Sequence, residues 1–577
     1  MEETKPKIKP LFARSITLQN LSKYQDLIKR RYKTTLNFRF TCPEKPSYYA
    51  PVDDKITQKK AFKALKFLKV IKKADLSGLN IHVHLISPIR TLALFKRISK
   101  VKSLSVLNKR TSSNLYKTFS EEWLRYLPAL RHLNYELAAE SYASREVLEK
   151  TKTARERDHP LEDIKYCPKI QSLKVKVPNY ATPFFKAIYD FKQYPATIKR
   201  LSISPEFTLP EDPNSSIECL KNLQSLQMKF NQASCPSFIV RNMNSLAKLE
   251  NLQELGLQFS KQMIPDVYTA FGKISERGIL KKLKLNFGSD VPKFEGVLKA
   301  FKGCQLTHFS LRARTSEEKM LEPIAKFLKD RTELEGLKIH IIHEYLFNSK
   351  DVFEEICKQI NKLPALRKLS INFHTAGKPN KKTDPTALVS YLQPTLTKPI
   401  KLEALSLKCN QVDSSEEFQG IMTGLQGLTG SLHKFKVDLG AYFPNKQAHD
   451  GIISFIESLE NIRVLKLLSL EIGAQKFLND LVETVYGFKY LRVLIVGNIK
   501  GTVSKPVFLD AVEAIVKKRG LVQFDCNIAI DFMMTLRKKS KTAPRVDKKK
   551  VQKINPALEI IPSVLFIFDH DLFDRSW

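Results

Sequence analysis

The chain has 577 residues, 43% of them apolar and 27% charged, and that apolar share excludes an intrinsically disordered protein. With 20 Gly and 8 Cys it is neither collagen-like nor a disulfide scaffold. Lys and Arg total 96 against 59 Asp and Glu, a net charge of +37, which points either to acidic partners or to a lysine-rich set of solvated helices.

Met1 to Pro10 is polar and lacks the apolar stretch of a secretory leader. Leu36-x-Phe38-x-Phe40 reads as an early strand, and Pro43 to Pro51 as an irregular connection. Ile56 to Lys73 reads as a helix. Ala61, Ala64, Leu65, Leu68 and Ile71 share one face, and Lys59, Lys60, Lys63, Lys66, Lys69, Lys72 and Lys73 fill much of the rest. Residues 1–75 are therefore expected to form an N-terminal cap region. Its basic helix, through Lys59, Lys63, Lys66 and Lys73, is also a candidate binding element, and the two roles are compatible. Residues 55–110 hold 15 Lys and Arg against the single acid Asp75.

Residues 76–534 carry an internal repeat. The pattern apolar-x-x-apolar-x-apolar begins at Leu76-x-x-Leu79-x-Ile81. It recurs as Ile170-x-x-Leu173-x-Val175, Leu280-x-x-Leu283-x-Leu285, Leu366-x-x-Leu369-x-Ile371 and Ile462-x-x-Leu465-x-Leu467. Sixteen units have their middle apolar residue between Leu79 and Phe524, a mean step of (524 − 79)/15, about 29.7 residues. The x-apolar-x-apolar part alternates with period two and predicts a strand. The segments between carry helical periodicity. Val352, Phe353, Ile356 and Ile360 lie on one face behind Asp351 as N-cap, and a second helix is expected over Phe508 to Val516. Two long steps hold insertions, Thr151 to Glu162 and Ala376 to Pro385, which read as projecting loops.

These units resemble the leucine-rich-repeat family, and their length resembles the ribonuclease-inhibitor-like branch with a helix in every repeat. The resemblance covers roughly residues 76 to 530. It implies an α/β solenoid (a horseshoe) with an inner parallel β-sheet, outer helices and about sixteen repeats. Asn231 and Asn410 fill the family's asparagine position after the strand, whereas Ser260, Gly288, Arg314, Ile342 and His374 occupy it elsewhere.

Residues 535–557 form a basic linker, with Arg537, Lys538, Lys539, Lys541, Arg545, Lys548, Lys549, Lys550 and Lys553 against Asp547. It reads as a flexible tether, a nuclear-import signal or an anion-binding arm. Residues 558–577 turn apolar again. Val564 to Phe568 is expected as a strand that either caps the open edge of the sheet or docks elsewhere.

Catalytic and metal motifs are not evident. Phe566 to Asp571 resembles the strand-then-DxD start of haloacid-dehalogenase-like phosphatases, but the Thr of that motif is missing. His340-Ile-Ile-His343-Glu344 matches no zinc motif, and strand alternation separates its two histidines. Cys42, Cys167, Cys219, Cys235, Cys304, Cys357, Cys409 and Cys526 form no CxxC pair and are expected as reduced thiols. No cofactor, no metal and no membrane insertion are expected; a cytoplasmic location is, with the nucleus as the alternative for residues 537–553.

On the expected concave face, each unit presents the residue before its middle apolar position, the one after it, and the one two further on. The basic residues there are Lys174, Lys176, Arg200, Lys229, Lys282, Lys284, Arg312, Lys338, Lys368, Lys408, Lys434, Lys436 and Lys466. The acidic ones are Glu136, Glu254, Asp438 and Asp525. The ratio is 13 to 4, against 96 to 59 for the whole chain, and aromatic residues are sparse. The reading is a non-enzymatic interaction scaffold that binds a protein partner with an acidic surface or tail on this face. An RNA- or ribonucleoprotein-associated factor and a ubiquitin-ligase-type adaptor are the alternatives.

Overall fold

A strand of alternating apolar and polar residues buries one side and leaves the other open, and most of the fold follows from repeating it. The computed structural model describes residues 99–110, 123–139, 162–177, 191–205, 216–230, 236–259, 265–287, 294–315, 321–343, 350–375, 402–409, 415–425, 430–442, 446–471, 474–503 and 523–530, with short pieces at 15–16, 35–39, 80–85, 392, 510–511, 514–515, 521 and 559–560. The chain divides into two compact units, Met1–Leu280 and Lys281–Trp577.

The first unit contains β1 (Ser15–Ile16), β2 (Thr35–Arg39), β3 (Asn80–Leu85), β4 (Ser103–Arg110), β5 (His132–Ala139), β6 (Ser172–Val177), β7 (Arg200–Pro205), β8 (Ser225–Phe230) and β9 (Glu254–Phe259). Each pairs in parallel with the next in chain order. Parallel neighbours need a crossover. The described crossover residues form 3-10 turns such as Trp123–Tyr126 and Glu162–Tyr166, and the helices α1 (Pro236–Leu246) and α2 (Pro265–Glu276).

The second unit contains β10 (Lys282–Phe287), β11 (His308–Thr315), β12 (Gly336–His343), β13 (Lys368–Thr375), β14 (Ala404–Cys409), β15 (Lys434–Tyr442), β16 (Val464–Glu471), β17 (Val493–Val503), β18 (Gln523–Ile530) and β19 (Glu559–Ile560). These too pair in parallel and in order. Its helices are α3 (Phe294–Ala300), α4 (Glu322–Leu328), α5 (Lys350–Asn361), α6 (Ser415–Leu425), α7 (Lys446–Glu457) and α8 (Ala474–Gly487).

Register puts like on like. Leu283, Phe309, Leu337, Leu369, Leu405, Phe435, Leu465 and Leu494 stand in one row across β10 to β17. Each is at most 2% exposed. Leu285, Leu311, Ile339, Ile371, Leu407, Val437, Leu467 and Val496 form a second buried row. The helices close over them with Val297, Ile324, Ile356, Ile421, Ile456 and Leu481. Burying one such side chain contributes about 1.5–3 kcal/mol, more than an exposed ion pair, so these rows hold the stack together.

A backbone ladder fixes the step between repeats. The Lys281 carbonyl accepts from the N–H groups of Thr307 and His308, and the Thr307 carbonyl from those of Glu335 and Gly336. The relay continues through Glu335, Arg367, Glu403, His433 and Arg463, ending on the N–H groups of Arg492 and Val493. Side chains add a second ladder: Asn222 Nδ2 donates to the Ala196 carbonyl at 2.9 Å, Asn251 to Lys221 at 3.1 Å and Asn461 to Gly430 at 2.9 Å.

The structure differs from the sequence reading at the ends. Ile81, not Leu79, lies opposite Leu104. A slide by two residues preserves the in–out alternation, so the pattern alone does not fix it. Leu36 pairs with Ile81, so the early strand expected from Leu36 stands in the ladder as β2. At the other end, the strand added to β18 is Glu559–Ile560. The strand expected at Val564 to Phe568 lies outside the described residues. So do the basic helix with Lys59, Lys63, Lys66 and Lys73, the 535–557 linker and nearly all of both insertions. Helix α5 begins at Lys350, so Asp351 sits in its first turn, not at its cap; Ile356 and Ile360 are buried as expected.

Candidate functional site

The helices and the buried rows occupy one side of the second unit's sheet, and the alternate residues of each strand form its open face. Burial along β10 shows the alternation: Lys282 and Lys284 are exposed, and Leu283, Leu285 and Phe287 are buried. Three rows cross this face with neighbours about 4.8 Å apart. The first runs Lys282, His308, Gly336, Lys368, Ala404, Lys434, Val464, Val493. The second runs Lys284, Ser310, Lys338, Ser370, Ser406, Lys436, Lys466, Ile495. The third runs Asn286, Arg312, His340, Asn372, Lys408, Asp438, Leu468, Gly497.

Side-chain size shapes the rows. Ala404 is 3% exposed, Ser406 7% and Ser370 8%, so these small residues floor a shallow basin between β13 and β15. Lys368 stands on one side of Ala404 and Lys434 on the other. Burial holds the Lys434 ammonium below the ordinary lysine range, and the charge of Lys368 lowers it further, while Glu403 works in the opposite direction. Gly336 is required where it stands: a Cβ there would meet the His308 ring at 2.6 Å.

The positive charge is little offset. Asp438 is the only carboxylate in the three rows among the described side chains; it is 8% exposed and pairs with Lys408 at 2.9 Å. Lys466 is itself buried at 8% exposure, so the face presents it far less than the alternation implies. Lys282, Lys284 and Arg312 are exposed, and Lys338, Lys368, Lys408, Lys434 and Lys436 are partly exposed.

The first unit repeats the scheme with less charge. Lys174 and Arg200 are exposed and Lys229 partly so. Lys176 donates to Glu136 at 2.7 Å, which neutralises it in place. His132 and Arg200 flank Ser172 in one row. Burial, then Arg200 and Arg131, hold the His132 imidazole below its ordinary value.

The sequence reading counted charges and missed an apolar shelf. Val464, Leu468, Val493 and Ile495 lie on the open side and are partly exposed. Leu468 reaches over Gly497, where a Cβ would meet its Cδ2 at 2.9 Å. The signal was present in the unbroken apolar run Val493 to Val496, which breaks the apolar–polar alternation. The basic basin thus passes, strand by strand, into apolar surface.

Among the described residues, no group of three or more His, Cys, Asp and Glu side chains is placed to hold a metal ion. No helix among them is long and apolar enough to cross a membrane.

No protein-family model matches the chain, and no curated protein matches it either. Among solved structures, it is similar to an internalin from Listeria monocytogenes with 15% identity and a TM-score of 0.31, over 66% of this chain and 89% of that one. It is also similar to the mouse RP105/MD-1 complex with 14% identity and a TM-score of 0.34, over 87% of this chain and 88% of that one. At these scores neither similarity carries weight. The fold rests on the chain's own repeat, its parallel in-order strands and its two buried rows, and by these each unit is an α/β leucine-rich-repeat solenoid.

Proposed function

We propose that this chain is a non-enzymatic scaffold that binds an acidic segment of a partner protein on the open face of its second unit. The observation that carries this reading is the basic basin around Lys368 and Lys434, continued by Lys282, Lys284, Lys338 and Lys436, with Asp438 the one carboxylate among the described side chains of these rows from β10 to β17. Like charges two strands apart repel, and a bound carboxylate relieves that cost while gaining its own attraction. The shelf of Val464, Val493 and Ile495 beside the basin favours protein over nucleic acid, because a phosphate backbone gains nothing from aliphatic surface.

The test uses purified chain with two fluorescent probes, a glutamate-rich peptide and a single-stranded RNA. Together the reversals Lys282→Glu, Lys284→Glu, Lys434→Glu and Lys436→Glu are expected to weaken peptide binding about 100-fold, from four lost attractions of under about 1 kcal/mol each. Unchanged peptide affinity would remove the site from this face. Tighter binding of the RNA, with a steep log-linear salt dependence, would replace the protein reading with the nucleic-acid one.

A further inference from the structure

Charge alone would accept any acidic segment, but the open face is not uniform. Lys368 and Lys434 stand two strands apart across the small floor of Ala404. Neither has an ion pair among the described residues. An anion placed over Ala404 meets both ammonium groups and no bulky side chain beneath, since Ala404 ends at its Cβ. The next strands in the same direction carry no charge in this row: Val464 follows Lys434, and Val493 follows Val464. Ile495 lies two residues along β17 from Val493, on the same side. All three are partly exposed, an unusual position for aliphatic side chains beside a cationic basin.

We propose that the second unit reads a composite ligand: an acidic protein segment with an apolar side chain about four residues from its acid. The carboxylate lies between Lys368 and Lys434, and the apolar group covers Val464, Val493 and Ile495. The spacing follows from the sheet. Ala404 and Val493 are three strands apart, about 14 Å, and an extended chain crossing the strands covers about 3.3 Å per residue. That is about four residues. The weakened hold of Lys434 on its proton agrees with a partly desolvated ammonium that gains from an anion beside it. This inference rests on the proposed acidic-segment binding and adds the second determinant, which sets specificity where charge sets attraction.

The experiment measures fluorescence anisotropy of labelled dodecapeptides on the full chain. One peptide carries two adjacent glutamates and a phenylalanine four positions away, in both chain directions, in a Ser/Gly background. The controls replace Phe with Ser, or place Phe next to the glutamates. The spaced peptide is expected to bind about tenfold tighter than either control, the effect of one partly buried apolar side chain. The double variant Val493→Ser with Ile495→Ser is expected to abolish that tenfold gain. Its hydrogen-exchange protection across β15 and β16 should match the parent's, which reports that the face remains folded. Lys368→Ala with Lys434→Ala is expected to weaken all the peptides. Equal affinity for spaced and Phe-free peptides, or a gain that survives the Val493/Ile495 variant, overturns the composite ligand and leaves the acidic-segment reading standing. Absence of binding by every peptide overturns both.

Discussion

Arg331 is buried to 8% exposure with no carboxylate partner among the described contacts, and what it does there is measurable. It follows Asp330, whose φ of 68° ends the chain's run through α4. Its Nε donates to the Phe327 carbonyl at 3.1 Å and its Nη2 to the Phe301 carbonyl at 3.1 Å. Its Nη1 donates to the Cys304 carbonyl. The guanidinium also lies 4.3 Å from the centre of the Phe327 ring. One side chain therefore ties the end of α4 to the end of α3 in the preceding repeat. Arg331→Met keeps most of the volume and removes every donor. Phe301 and Cys304 each also accept a backbone N–H, so their loss falls at the low end of the range for a buried acceptor, about 1 kcal/mol each. With Phe327 and the ring contact the sum is about 3–4 kcal/mol. Burial already disfavours the charged guanidinium, and its removal returns part of that. The expected net is a loss of about 2–3 kcal/mol, or about 30- to 150-fold in the local opening constant. Hydrogen exchange read by mass spectrometry on peptides covering α3 and α4 measures this directly, and Arg331→Lys should lose nearly as much because one ammonium cannot span three carbonyls. Unchanged or slower exchange in Arg331→Met would refute the reasoning and make the arginine a tolerated buried charge, not a tie.

Two further outcomes follow from the buried groups. Cys219 is exposed while Cys167, Cys304 and Cys357 are buried, and burial, with Glu354 adding to it, pushes the Cys357 thiol up to about 12. Maleimide labelling mapped by peptide should therefore mark Cys219 in the native protein and Cys357 only after unfolding, and equal labelling of the two would contradict the packing of α5. The His132 imidazole is held below its ordinary value of 6.5, so the unfolded chain takes up that proton at a higher pH than the folded one. Stability should then fall as the pH drops below the ordinary value toward the folded one, with no such change above it. His132→Gln should flatten this fall in urea titrations at pH 7.5 and 5.5, and a variant that matches the parent at both would remove His132 as its cause.

The fold was largely legible because an apolar motif recurring at a mean step of about 29.7 residues admits few other packings. Within a repeat, alternation names the buried residues, and the two rows from Leu283 to Leu494 and Leu285 to Val496 bear that out. What alternation leaves open is a slide of two, and the first repeat shows it: Leu79 and Ile81 have the same parity, and pairing with β4 selects Ile81. The asparagine ladder was sought after the strands, at Asn231 and Asn410. The one the structure describes lies before them, where Asn222, Asn251 and Asn461 each precede the first apolar residue of the motif and bond the backbone of the preceding repeat. The recurring Asn-Leu or Asn-Ile pair was present in the sequence, but only geometry shows that this position faces a bare carbonyl.

The open face was legible as charge and illegible as chemistry, for the same reason. Lysine in a strand of otherwise apolar residues marks the open side, since burying its ammonium costs several kcal/mol. Lys282, Lys284 and Lys434 were found on that ground. An aliphatic residue on the open side gives no such mark. In Val493 to Val496 every position is apolar, and a run of this kind reads equally well as a strand buried on both sides. Lys466 is the converse case, a lysine at an open-side position that the fold nevertheless buries between Lys436 and Ile495. Row-by-row register decides both. It sets Val464 beside Lys434 and Val493 beside Val464, so the basic basin and the apolar shelf become one surface. A partner that matched only the lysines would leave that shelf in water. A partner that matched only the shelf would leave Lys368 and Lys434 repelling each other across Ala404. A segment that carries both an acid and an apolar side chain resolves both costs at once.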